Sequence, residues 1–257
     1  MQNLSVTLVQ ANQIWEDKEA NFRNYERLLE SVKASDIIVL PEMFHTGFTM
    51  HAVQLAEKME SSNSIEWLKK LASKKNTAIY TSLIIEDGTN FYNRGVFVFP
   101  TGELEIYDKR KTFGLAGEDK VYTAGDHSAI VHYKGWNINL QICYDLRFPE
   151  ISLNKMIDNS PLYDLSIYVA NWPEKRSPHW NALLVARAIE NQSFVIGVNR
   201  VGEDKNKLNY SGDSQMVDPL GEINKLHPIE SVKNIVLESK KLIETREKLP
   251  FIKDRIC

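Results

Sequence analysis

The pattern that most restricts this chain is the alternation of short apolar, β-branched runs with longer amphipathic segments. Runs of four to eight such residues bounded by turn formers read as strands, and longer segments with apolar residues at helical spacing read as helices. The pattern predicts strands at Ser5–Gln10, Asp36–Leu40, Thr77–Ile85, Arg94–Phe99, Glu103–Asp108, Ala129–Tyr133, Asn137–Ile142, Leu165–Ala170 and Phe194–Asn199. It predicts helices at Lys18–Lys33, Ser64–Lys75, Pro149–Met156 and His179–Asn191. In the first of these, Phe22, Tyr25, Leu28, Leu29 and Val32 form one apolar face. Ser64 is the expected cap of the second, without an acidic residue three places on to complete a capping box. Pro100-Thr101-Gly102 and Asp218-Pro219-Leu220-Gly221 read as hairpin connections, so Ser82–Tyr107 and Ser211–Lys225 are expected to be antiparallel pairs. The helices then serve as crossovers over a mixed sheet, and the expectation is one α/β domain spanning residues 1–257.

The charge balance narrows the partner. A net charge of -3 over 257 residues, with 43% hydrophobic and 25% charged, describes an ordinary globular chain. It gives no reason to expect nucleic acid or an anionic membrane, so a small molecule is the expected partner. Met1–Gln10 lacks the basic head and apolar stretch of a signal peptide, and no run of about 18 apolar residues occurs. A cytoplasmic protein is the expectation. Its two cysteines, Cys143 and Cys257, are then expected to be free thiols.

Several short segments set a reactive or charged residue just beyond an apolar strand, where α/β proteins expose functional groups. In Val39-Leu40-Pro41-Glu42, a carboxylate leaves a buried-looking strand at a proline that ends the ladder. Desolvation there would raise its pKa and suit a general base, although most carboxylates of this kind sit in solvent. Tyr107-Asp108-Lys109-Arg110-Lys111 is ordinarily a solvated basic turn; turned inward, one of its cations would stabilise an oxyanion and lower a nearby thiol pKa. Ile142-Cys143-Tyr144-Asp145-Leu146-Arg147-Phe148-Pro149 places a cysteine between a strand and a predicted helix, which would expose sulfur and aim backbone N–H groups at it. A lone buried cysteine is usually a small hydrophobe, but Asp145 and Arg147 beside it make plain packing less attractive. Arg147 is read as structural, paired with Asp145 or Glu150.

Taken in order, Pro41-Glu42-Met43-Phe44, Tyr107-Asp108-Lys109-Arg110 and Cys143-Tyr144-Asp145-Leu146-Arg147-Phe148-Pro149-Glu150 resemble the nitrilase superfamily of carbon–nitrogen hydrolases, and most of all its omega-amidase branch. The resemblance runs from Val6 to about Gly221. It takes in Gly117-Glu118, Tyr122-Thr123-Ala124-Gly125, Asn171-Trp172-Pro173 with Arg176, and His179-Trp180. Further matches are Ala186–Gln192, Gly197–Gly202 and Gly212-Asp213-Ser214. It implies a four-layer αββα sandwich with two mixed sheets. It also implies a homodimer or higher homo-oligomer, with residues 249–257 as a C-terminal arm.

The resemblance implies Cys143 as nucleophile, Glu42 as base, Lys109 as oxyanion stabiliser and Glu118 as the carboxylate that orients the lysine. The lysine is assigned to Lys109 rather than Lys111 on the tyrosine-x-lysine pattern. Lys111-Thr112-Phe113 and Asp119 depart from many relatives, and the departure bears on substrate fit. The implied substrate is a small 2-oxo acid carrying a terminal amide, such as 2-oxoglutaramate or 2-oxosuccinamate. Arg176 is the candidate for its carboxylate, with Phe44, Tyr144 and Trp172 lining the pocket. Neither cofactor nor metal is required, and no His/Cys cluster has zinc spacing. Hydrolysis of an N-carbamoyl amide, a nitrile or a damaged metabolite would use the same catalytic set. A non-catalytic scaffold is disfavoured by retention of Glu42, Lys109, Cys143 and Glu118 together.

Overall fold

The computed structural model describes residues 1–255, so Cys257 and the end of the expected arm lie outside the described residues. Two large mixed sheets carry the architecture. The first runs in the order Ser231–Leu237, Leu4–Gln10, Ile37–Val39, Ala78–Asp87, Asn90–Val98, Leu104–Asp108. Leu4–Gln10, Ile37–Val39 and Ala78–Asp87 are mutually parallel neighbours, while the flanking pairs are antiparallel. The second runs Ile223–Lys225, Gln215–Val217, Phe194–Asn199, Leu165–Ala170, Trp136–Ile142, Ile130–Tyr133, parallel at its centre and antiparallel towards its edges.

Because side chains alternate across a strand, both faces of each central strand must be covered. Val6, Leu8, Val39, Tyr80 and Phe97 of the first sheet meet Ile138, Leu140, Ile167, Val169 and Ile196 of the second in one continuous core. The outer face of the first sheet, with Val9, Ile38 and Ile79, receives Phe22, Tyr25 and Leu29 from the helix Lys18–Leu29 and Ile65 and Leu68 from the helix Asn63–Lys75. Tyr168, Ala170 and Val195 of the second sheet receive Trp180, Leu184 and Ala188 from the helix Ser177–Asn191. The layers are helix, sheet, sheet, helix, as the resemblance implied. Both expected hairpins form, with Gly102 N–H bonded to Phe99 O and Gly221 N–H to Asp218 O.

Local readings are corrected in two places, and two further elements were not expected. Ser62 caps the helix Asn63–Lys75 by accepting from Ile65 N–H at 3.0 Å, whereas the Ser64 hydroxyl donates to Glu57. Pro149–Met156 is not an α-helix: the chain makes short 3₁₀ turns at Cys143–Arg147 and Pro149–Ile151. Helical propagation stops because Asn154 gives its backbone N–H and side chain to Asn191 and Tyr163 instead. The strand Ser231–Leu237 and the helix Ser239–Lys248 had no strong sequence signal, the helix burying only Ser239, Leu242 and Thr245.

The described part of the C-terminal segment folds back on its own chain. Ile252 is buried, its N–H donates to Gln192 at 3.1 Å, and Arg255 donates to Asn191 at 3.0 Å. Among the described residues no helix is long and apolar enough to cross a membrane.

Candidate active site

The parallel strands of both sheets deliver their carboxyl ends to the same edge of the sandwich, and Glu42, Cys143 and Asn171 sit just past those ends. Two sharp turns aim the first two. Met43, next to Glu42, and Cys143 itself both hold φ of 45°, a left-handed conformation that costs a residue with a Cβ of order 1–3 kcal/mol. The surroundings hold each turn in place. Thr81 donates to Pro41 O at 2.7 Å and Met43 N–H donates to Ser82 Oγ at 2.9 Å. On the facing sheet, the buried Asp145 carboxylate accepts from Ile142 N–H at 3.0 Å, Lys111 N–H at 2.9 Å and Tyr107 OH at 2.9 Å. Asp145 therefore ties the Cys143 turn to the strand end that carries Lys109.

Lys109 follows the strand Leu104–Asp108, whose last residue is gripped by Arg94 through bonds of 2.7 and 2.9 Å. Gly125 presses against the same strand end, its N–H donating to Lys109 O at 2.9 Å. A Cβ on Gly125 would stand 2.3 Å from Asp108 O, so only glycine fits that approach.

These constraints bring Lys109 between two buried carboxylates. Its Nζ lies 2.9 Å from Glu42 Oε1 and 2.9 Å from each oxygen of Glu118. Asn93 Nδ2 bridges the two acids, at 2.8 Å from Glu42 and 3.3 Å from Glu118. Burial disfavours the ammonium, but Glu118 and then Glu42 outweigh it and hold the Lys109 pKa well above the ordinary lysine value. Burial raises the Glu118 pKa, with Lys109 opposing. The Cys143 thiol is pushed well up, first by burial and next by Glu42, which accepts its hydrogen bond. Lys109 does lower it, as the sequence led one to expect, but is outweighed. The resting sulfur is thus a protonated thiol beside a carboxylate, a pair suited to proton transfer concerted with attack.

Glu42, Lys109 and Cys143 line a cavity of about 460 Å³. Tyr144, Trp172 and Arg176 line it, as expected from sequence. Phe44 does not. It is fully buried in an aromatic cluster with Phe22, Tyr25 and Trp67, because the turn after Glu42 directs it to the outer face of the sheet. Phe48 and Phe113 supply the apolar wall instead. Lys111 and Asp119 are not among the lining residues; Lys111 Nζ lies 3.6 Å from Glu150 and Asp119 is exposed.

Arg147 overturns its structural reading. It lines the cavity with its guanidinium 4.6 Å from the Trp172 ring centroid, touches His179 at 3.3 Å, and has no carboxylate partner among the described residues. Arg176 lies over Phe113 at 5.2 Å and likewise makes no ion pair among them. Burial lowers the Arg147 pKa and Arg176 adds to that, so the two cations sense each other across the pocket.

Sequence reasoning did not single out Asn93 or the side chain of Asn171. Asn93 sits opposite Lys109 through strand register, with Lys109 N–H bonded to Asn93 O, and only register would have revealed it. Asn171 N–H donates to Glu42 Oε2 at 2.8 Å and its Nδ2 to Glu42 O at 2.6 Å, so it fixes both ends of that residue.

Comparison with known proteins gives the family. Residues 5–231 match the family described as carbon-nitrogen hydrolase. An omega-amidase, YafV, of Escherichia coli strain K12 is 43% identical over 99% of this chain and 97% of its own length. A 2-oxoglutaramate amidase of Paenarthrobacter nicotinovorans is 32% identical over 92% of this chain and 84% of its own. A CN-hydrolase superfamily protein of Xanthomonas campestris, solved with an arsenic adduct in its active site, is 38% identical and superposes with a TM-score of 0.97 over 100% of this chain and 98% of that one. The family match takes in the second sheet, the first sheet apart from its edge strand Ser231–Leu237, and every strand-end turn described above, and the chain belongs to the carbon-nitrogen hydrolase family.

Proposed function

We propose that this protein is an omega-amidase, hydrolysing the terminal amide of a small 2-oxo acid such as 2-oxoglutaramate or 2-oxosuccinamate to the carboxylate and ammonia. The observation that carries this reading is the pair of arginines, Arg147 and Arg176, on the wall of the cavity that holds Cys143. An arginine without an acidic partner, stacked on an aromatic face, is a ready carboxylate receptor. The names of the relatives support the same substrate class.

Catalysis runs in two halves. Glu42 takes the thiol proton as Cys143 Sγ bonds to the amide carbon. Lys109 Nζ and the Tyr144 N–H hold the negative oxygen of the tetrahedral intermediate. The carbon–nitrogen bond breaks, the proton on Glu42 passes to the nitrogen, and ammonia leaves a thioester. Glu42 then takes a proton from water as its oxygen adds to the thioester; the carbon–sulfur bond breaks and the thiol recovers that proton. Glu118 keeps Lys109 charged and pointed at the oxyanion.

The finer expectations belong to the same reading: a small-molecule partner without nucleic acid, a cytoplasmic setting, one domain over residues 1–257, and association of copies through helical faces. Exposed Ile189 and Phe251 offer apolar surface for such association. Ammonia release from 2-oxoglutaramate and 2-oxosuccinamate by purified protein, with Cys143→Ala as control, tests the activity. Release lost in the variant is expected; silence of the wild type on both substrates would reject the omega-amidase reading.

A further inference from the structure

The acceptors around the nucleophile number more than the mechanism above requires. Asn171 is 5% exposed and lines the cavity with Glu42 and Cys143, yet its Oδ1 is buried without a donor among the described residues. Its orientation is fixed. Nδ2 donates to Glu42 O at 2.6 Å, and rotating the amide would set two oxygens against each other. A buried acceptor held unpaired at a binding site is satisfied when the ligand brings a donor.

The other groups that face the reacting carbon are donors. Lys109 and the Tyr144 N–H take the substrate oxygen, and the arginines take the carboxylate. The acceptors are Glu42 and Asn171, whose backbone N–H also holds Glu42 Oε2 at 2.8 Å. A primary amide offers two N–H donors on its nitrogen, and that nitrogen must lie on the Glu42 side to receive the proton as it leaves.

We infer that Asn171 Oδ1 accepts one N–H of the substrate's primary amide while Glu42 faces the other, so that Asn171 selects amides over esters of the same acid. This rests on the amidase reading but not on the arginines. An ester has no N–H on its leaving atom and leaves Oδ1 unpaired through the attack. Sites built to pair with a polar hydrogen reject analogues lacking it strongly. Asn171 takes no proton; it orients the nitrogen in the ground state and holds it as it pyramidalises and departs.

The test compares kcat/KM for 2-oxoglutaramate and for its terminal methyl ester, in wild type, Asn171→Ala and Asn171→Ser. Because kcat/KM reports acylation alone, the shared deacylation step drops out. Because an amide needs the Glu42 proton to leave more than an ester does, the pH profile of kcat/KM is measured alongside: a role confined to holding Glu42 would shift that profile, and loss of the Oδ1 contact alone would not. The expected result is a fall of about tenfold or more in the amide-to-ester ratio in the variants. An unchanged ratio overturns the proposal, and Asn171→Ser supplies the comparison if Asn171→Ala does not fold. If the wild type turns over neither compound, it is the 2-oxo acid reading that has failed. The same ratio measured with propionamide and methyl propionate, which need no arginine, then decides the role of Asn171.

Discussion

Both oxygens of Glu118 lie 2.9 Å from Lys109 Nζ, and Glu42 Oε1 lies at the same distance from the same nitrogen. One buried cation thus joins two buried carboxylates, and removing it strands both. Lys109→Met is expected to lower stability by about 3–5 kcal/mol, the usual cost of breaking a buried ion pair. Its activity should fall by about 10²–10³ through loss of the oxyanion donor. Glu118→Gln keeps an acceptor and should fold, with a loss in kcat and little change in KM. Denaturant titration and steady-state kinetics separate the effects, and a Lys109→Met protein as stable as wild type would contradict this account of the cluster.

The two unpaired arginines make a prediction about affinity. Arg147→Ala and Arg176→Ala should each raise KM for a carboxylate-bearing amide by about 10- to 100-fold, the worth of a charged hydrogen bond. Turnover of an uncharged amide such as propionamide should be nearly unaffected. Equal losses on both kinds of substrate would mean that the arginines act on the fold rather than on the ligand.

Asp145 gives the protein a pH signature. Burial raises its pKa to about 6 against three stabilising hydrogen bonds and the Lys109 charge. A carboxyl raised above its unfolded value is favoured in its protonated form by the fold. Its contribution to stability is therefore full below about pH 4 and lost as pH rises through about 6, by roughly 3 kcal/mol at most. Wild type should therefore lose stability relative to the neutral Asp145→Asn variant, by up to roughly 3 kcal/mol, as pH rises from 4 to 7 in denaturant titrations. A difference that stays flat would show that Asp145 does not titrate there.

Phe44 separates core from pocket. Phe44→Ala should cost about 3–5 kcal/mol, as for a buried aromatic, because it opens the cluster with Phe22, Tyr25 and Trp67. At a temperature where the variant stays folded, its KM should match wild type. A large rise in KM with unchanged stability would return Phe44 to the substrate wall.

Glu42, Lys109 and Cys143 each stand just past an apolar strand, but their roles, and Glu118 altogether, came from the resemblance to a family and not from strand spacing; the structure brings Glu42, Lys109 and Glu118 within hydrogen-bond distance. The central strands were legible because most of their side chains are apolar, as in Leu165–Ala170. What failed depended on partners remote in sequence. Arg147 was taken to need a carboxylate, but its neighbour is the Trp172 face, delivered by another strand of the second sheet. Phe44 was placed by proximity to Glu42, yet a left-handed residue between them reverses direction. The helix Ser239–Lys248 carries few apolar residues, and its place is set by salt links such as Arg246 to Asp164.

The neighbours of the strand Leu4–Gln10 are Ile37–Val39 on one side and Ser231–Leu237 on the other. The Gln10 side chain is likewise held by His227 O at 2.7 Å and Ile229 O at 2.8 Å. During translation the first strand leaves the ribosome long before its outer partner does. Until then the half-built sheet that carries Glu42 offers an apolar, unpaired edge to whatever is nearby. That edge is sealed only when Ser231–Leu237 has emerged, so nascent chains stalled before Ser231 are expected to be the form most in need of a chaperone.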